Sequence, residues 1–108
     1  MLSIAETMQA LSAPSRVRLL YALRTGEMSV NELAAAAGIT PAAASQQLRL
    51  LRHLHLVAAR RERQSMLYRL HDDHIAALLD EVRNHAEHAS RGWSSPAPSP
   101  TALQEVQP

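Results

Sequence analysis

Apolar positions recur at helical spacing through most of this chain. Ile4, Met8 and Leu11 share one face, which predicts a first helix over about residues 3 to 11. Ser12-Ala13-Pro14 interrupts it, and proline suits the first turn of a new helix. Val17, Leu19, Leu20 and Leu23 carry that second helix toward Gly26, a good terminator. Ser29 followed three residues later by Glu32 has the spacing of a capping box and opens a short third helix, closed by Gly38. Thr40 before Pro41 pairs an N-cap residue with proline at the first helical position, so a fourth helix starts there and runs to about His53.

Only Ile39 separates Gly38 from the Thr40 cap, and two short helices joined so tightly make a helix-turn-helix. Leu56 to Glu62 and Ser65 to Leu70 then read as two strands meeting around Arg63-Gln64, a β-hairpin or wing. A last helix begins near Asp72 and extends to about Arg91, with Gly92 ending it. The expected fold is mainly α with a small β-hairpin, a winged helix-turn-helix over residues 1–92. The stretch from Trp93 to Pro108, rich in proline and serine, is expected to be a disordered tail.

The length of 108 residues suits one domain with one modest core. No apolar run is long enough to cross a bilayer and no signal-peptide pattern opens the chain, so a cytoplasmic protein with no membrane partner is expected. Cysteine is absent, which excludes disulfides, thiolate metal sites and thiol redox sensing. The formal net charge is only +1, yet the charges are segregated. Every basic residue is arginine, and Arg49, Arg52, Arg60, Arg61, Arg63 and Arg69 fall in a stretch whose single acid is Glu62. The acids Asp72, Asp73, Asp80, Glu81 and Glu87 follow. A basic middle ahead of an acidic, histidine-bearing helix implies two partners, a polyanion and a cation.

On a helical wheel the fourth helix divides into two sides. Ala44, Leu48, Leu50, Leu51 and Leu54 lie inward with Gln47, while Ala42, Ser45, Gln46, Arg49, Arg52 and His53 lie outward. The outward set has what a major-groove reader needs: small residues that allow close approach, and Ser, Gln and Arg side chains that bond base edges or phosphates. Thr40 joins it, because the free N–H groups and partial positive charge of a helix N-terminus suit a phosphate. Arg60, Arg61 and Arg63 on the hairpin extend the electrostatic footprint along double-stranded DNA.

The last helix carries Asp72, His74, His85 and His88. At 100° per residue the three histidines fall within about 40° of one line, but His74 and His85 are about 16 Å apart along the axis. No single ion bridges that distance, since metal–nitrogen bonds are about 2 Å. Two copies paired antiparallel would instead face Asp72 and His74 of one chain with His85 and His88 of the other, giving two equal sites per homodimer by symmetry. The apolar stripe of Ile75, Leu79, Val82, Ala86 and Ala89 would form the seam. Three imidazoles and a carboxylate suit zinc, nickel or cobalt and not calcium or magnesium. His53 is placed near DNA, and His55 and His71 have no evident partners.

From Ser3 to about Ala89 these residues resemble the ArsR/SmtB family of metal-responsive repressors. Leu11-Ser12-Ala13-Pro14-Ser15-Arg16 is similar to the family's opening of the second helix, Ala44 through Arg52 to its recognition helix, and Gln64-Ser65-Met66-Leu67-Tyr68 to its wing. Asp72-x-His74 with His85-x-x-His88 is similar to the motif of the subgroup that binds metal on the last helix, nearest to actinobacterial nickel/cobalt sensors. The resemblance implies a homodimer through the first and last helices whose metal-free form binds operator DNA and is released by nickel or cobalt. It also implies a link from His85 to the main-chain carbonyl of His55, coupling metal site to reader.

The chain departs from the family pattern at several places. Ser29 and Asn31 stand where the thiolate site would have cysteines, which argues against arsenic-type sensing. Gln46 stands where a histidine is common in the recognition helix. The wing lacks the usual glycine at Glu62-Arg63-Gln64, which points to a wider turn. The nickel/cobalt sensors also recruit ligands from an N-terminal extension, whereas Met1-Leu2-Ser3 has no side-chain ligand, and four ligands alone favour tetrahedral zinc. Zinc is therefore the alternative metal. A metal-independent winged-helix regulator and a metal carrier that never reads DNA are the other readings. An enzyme has little support, as no nucleophile–base pair or phosphate loop is evident.

Overall fold

A computed structural model describes residues 3–92, with side chains to Ser90; the proline- and serine-rich stretch expected to be a tail lies outside the described residues. The elements run α1 (Ile4–Ala10), α2 (Pro14–Ala22), a 3₁₀ turn (Leu23–Thr25), β1 (Met28–Ser29), α3 (Val30–Ala37), α4 (Pro41–His53), β2 (Val57–Glu62), β3 (Ser65–Leu70) and α5 (Asp73–Gly92). The chain divides into two compact units between Ala77 and Leu78.

Local chemistry explains most boundaries. The side chain of Ser3 accepts from the Glu6 N–H while Glu6 reaches back to the Ser3 N–H, and Ser29 with Glu32 repeats this capping box at α3. Gly38 ends α3 in the left-handed backbone at φ 70°, and the Ile39 N–H returns to the Ala34 carbonyl at 3.0 Å. Thr40 Oγ1 then accepts from the Ala43 N–H at 3.1 Å, so α4 starts where the sequence places it. At the far end of α4 the Leu56 N–H bonds the Leu51 carbonyl and the His55 N–H bonds that of Arg52. This is a Schellman closure with His55, not glycine, at φ 61°. The buried pair Leu51 and Leu56 supplies its hydrophobic contact.

The core of the first unit is aliphatic: Leu19, Leu20, Leu33, Leu48, Leu51 and Val57 are fully buried. Two arginines tie its helices together through carbonyls left open at helix ends. Arg18 Nε donates to the Ala37 carbonyl at 2.9 Å, joining α2 to the end of α3, and Arg16 Nε donates to the Ala10 carbonyl at 2.9 Å, joining α2 to the end of α1.

Three expectations change. The wing belongs to a three-stranded antiparallel sheet in the order β1-β3-β2, because the two residues of β1 pair with Leu67 and Tyr68. The hairpin turn is tight, not wide: Glu62 faces Ser65, and positive φ falls at Arg63 (56°) but not at Gln64, the pattern of a type II′ turn. Leu50, assigned to the inner side of α4, is 40% exposed. It lines an open cavity of about 310 Å³ with Glu6, Gln9, Ala10, Arg16, His53 and Leu54, where α1 leaves that edge of α4 uncovered.

Candidate nucleic-acid interface and metal-ligand helix

The outward side of α4 forms one polar surface. Ala42, Gln46, Arg49, Arg52 and His53 are exposed and Ser45 is half-buried. Gln47 faces inward as expected, its Oε1 accepting from the Ser15 hydroxyl of α2 at 2.8 Å. Thr40 is exposed, and its hydroxyl serves as the cap that orders the α4 N-terminus. Among the described residues no ion pair or hydrogen bond engages the guanidinium of Arg49, Arg52, Arg61 or Arg63. Arg60 differs, because Nε and one terminal nitrogen grip both oxygens of Glu27 at 2.9 Å each. That bidentate contact holds the Glu27 carboxyl below the ordinary range and raises the Arg60 guanidinium.

The candidate metal ligands lie at the two ends of α5. Asp72 precedes the helix and caps it, with Oδ1 accepting from the Ile75 N–H at 3.1 Å. Its Oδ2 lies 3.2 Å from Nδ1 of His71, and Nδ1 of His74 is 3.7 Å from Oδ1. The His71 contact first, then the Ile75 N–H, keep the Asp72 carboxyl below its usual range, so it stays anionic at neutral pH. His71, for which the sequence suggests no partner, therefore has two: Asp72 and the His55 ring, whose centroid is 5.7 Å away. The His74 side chain is 95% exposed. In the second unit, His85 and His88 are exposed and line an open depression with Glu81, Asn84 and Glu87.

Accessible imidazoles with an ionised carboxylate are a donor set that fits a borderline divalent transition metal. Among the described residues, no group of three or more His, Asp or Glu side chains within one chain could hold an ion. The apolar side chains that stay in solvent include Ile4 and Met8 on α1, and Leu78 and Val82 on α5. Leu79 is buried.

A capped reading helix after a tight turn, a basic wing and a small sheet define a winged helix-turn-helix DNA-binding protein. The model of the bacterial regulatory proteins of the arsR family matches residues 13–59. The chain is 47% identical over 96 residues to the HTH-type transcriptional regulator NmtR of Mycobacterium tuberculosis, covering 89% of this chain and 80% of that protein. It is 43% identical over 84 residues to a transcriptional repressor SmtB homolog of Synechocystis, covering 78% of this chain and 64% of the relative. The solution structure of apo-NmtR matches with a TM-score of 0.70 at 47% identity, over 89% of this chain and 81% of that one. The homodimeric winged helix-turn-helix domain of Mb0332 from Mycobacterium bovis, a possible ArsR-family transcriptional regulator, matches with a TM-score of 0.75 at 33% identity over 79% of each chain. The chain belongs to the ArsR family and is a DNA-binding transcriptional regulator, not an enzyme. Among the described residues no helix is long and apolar enough to cross a membrane.

Proposed function

We propose that this protein is a homodimeric, cytoplasmic repressor that leaves its operator when it binds nickel or cobalt. The observation that carries the reading is the division of its donors: Asp72 and His74 at one end of α5, His85 and His88 toward the other, and, among the described residues, no complete ligand set within one chain. Antiparallel pairing of two such helices completes two equal sites, and a symmetric dimer repeats each contact. Exposed Leu78 and Val82 on α5 supply apolar surface for that pairing. That the Mb0332 domain is homodimeric supports a homodimer here.

DNA is read by Gln46, Arg49, Ser45 and Ala42, with Arg52 and the helix terminus at Thr40 on phosphates and Arg61 and Arg63 on the wing. Asp72 and His74 of one chain and His85 and His88 of the other would hold the ion, and its coordination would join the two chains. His55, whose carbonyl follows the end of α4, is the point at which a His85 ring would link that site to the reader. Nickel or cobalt is favoured by the resemblance of Asp72-x-His74 with His85-x-x-His88 to the motif of actinobacterial nickel/cobalt sensors, and zinc is the alternative for a four-donor set.

Subunit mixing tests the shared site. One variant lacks Asp72 and His74 and another lacks His85 and His88, so each homodimer loses half of both sites. In the mixed dimer one site recovers all four donors and the other has none. Tight cobalt binding at half the wild-type stoichiometry is expected, followed by the visible absorption of the bound ion. No recovery in a verified heterodimer would overturn the reading.

A further inference from the structure

We infer that Arg60 is a positioning residue that clasps the wing to the body, leaving Arg61 and Arg63 as the wing's DNA contacts. The observation is the bidentate grip of Arg60 on Glu27, both bonds 2.9 Å, reaching from the outer strand β2 to the residue just ahead of β1. Because the sheet order is β1-β3-β2, this side chain passes over the central strand and ties the two outer strands together. The register agrees: Arg60 faces Leu67, and Leu67 in turn faces Ser29.

Strand geometry separates Arg60 from its neighbour. Successive side chains point to opposite faces of a sheet, so Arg60 and Arg61 cannot both face one DNA surface. Arg60 shares its face with Glu62, 3.8 Å away, as well as with Glu27. A phosphate approaching that face would meet two carboxylates and would have to displace one that already fills the guanidinium fork. Arg61 lies on the other face, opposite Met66, and is exposed. A hairpin joined by two residues is marginal alone, so a link across all three strands decides where its tip is held.

The clasp is tested without DNA by hydrogen exchange of the β2 and β3 amides in Glu27→Gln, Arg60→Gln and the double variant. Exchange is expected to quicken by the same factor in each single variant and no further in the double one. The swap Glu27→Arg with Arg60→Glu is expected to restore slow exchange. Salt dependence then separates clasp from DNA contact, using a random-sequence 30-base-pair duplex as the probe. Arg61→Gln is expected to lower the slope of log K against log salt by about 0.9 for each phosphate that Arg61 neutralises, and Arg60→Gln to leave it unchanged. Unaltered exchange in the single variants, or a slope lowered by Arg60→Gln as much as by Arg61→Gln, would overturn the proposal. Absence of DNA binding by the wild-type protein would fault the DNA reading and leave the exchange result standing.

Discussion

Replacing Arg63 by glycine should make this protein more stable and a weaker DNA binder at once. Arg63 holds φ 56° at the first of the two turn residues of the wing, where a Cβ crowds the backbone. A non-glycine residue in that conformation costs about 1–2 kcal/mol, and glycine gives back about 0.5–1 kcal/mol through its greater freedom in the unfolded chain. The net expectation is a gain of about 0.5–1 kcal/mol. Each kcal/mol shifts the melting temperature of a domain of this size by about 4–8 °C, so the midpoint should rise by about 2–8 °C at fixed protein concentration. The same change removes a cation from the wing tip, and affinity for a duplex should fall along with the salt slope. Arg63→Ala separates the two causes: it loses the charge, keeps the strained backbone, and should weaken DNA binding without stabilising the fold. Equal or lower stability of the glycine variant would refute the assigned turn, as would an alanine variant that is stabilised just as much.

Three further outcomes rest on the same geometry. Leu51→Ala empties a fully buried site that also closes α4 against Leu56, and should cost about 2–5 kcal/mol by urea unfolding. Since the Glu27 carboxyl lies below its ordinary range when paired with Arg60, its contribution is present above the usual carboxylate pKa and is lost as pH falls through the folded value. Wing amides should therefore lose protection in acid, relative to the intrinsic exchange rate at each pH, with Glu27→Gln flattening that dependence, as measured by exchange across pH. Gln46→Ala should change sequence preference, with about 1–3 kcal/mol less discrimination at the contacted base pair in a competition assay over operator variants.

Signals confined to a few consecutive residues were legible in the sequence. Ser29 with Glu32, Gly38, and Thr40 before Pro41 each act through bonds to neighbours within four or five residues, and α3 and α4 have the bounds these imply. Features that depend on which strand lies beside which were not. β1 is two residues long and carries no alternation, and it exists as a strand because β3 offers it an edge. The clasp of Glu27 on Arg60 joins residues 33 positions apart, so no local pattern announces it. The exposure of Leu50 depends on how far α1 extends over α4, which the helical wheel of α4 alone does not contain. His71 meets the His55 ring only because β3 returns to the end of α4, the His71 N–H bonding the Leu56 carbonyl at 3.0 Å. The candidate ligands were legible as a spacing on one helix, and the structure adds that Asp72 is also the cap of that helix.

Whether one protein both reads DNA and is released by a transition metal is decided by a single set of titrations. Affinity for the DNA upstream of its own gene is measured without metal and with nickel, cobalt or zinc, for the wild type and His85→Ala. The metal-free wild-type dimer should bind tightly, and nickel or cobalt should weaken that binding by about 5–150-fold, the range of an allosteric coupling of about 1–3 kcal/mol. His85→Ala should bind the DNA as the wild type does and ignore the metal. Wild-type affinity that stays constant or rises with all three metals would show that metal does not release this protein from its operator.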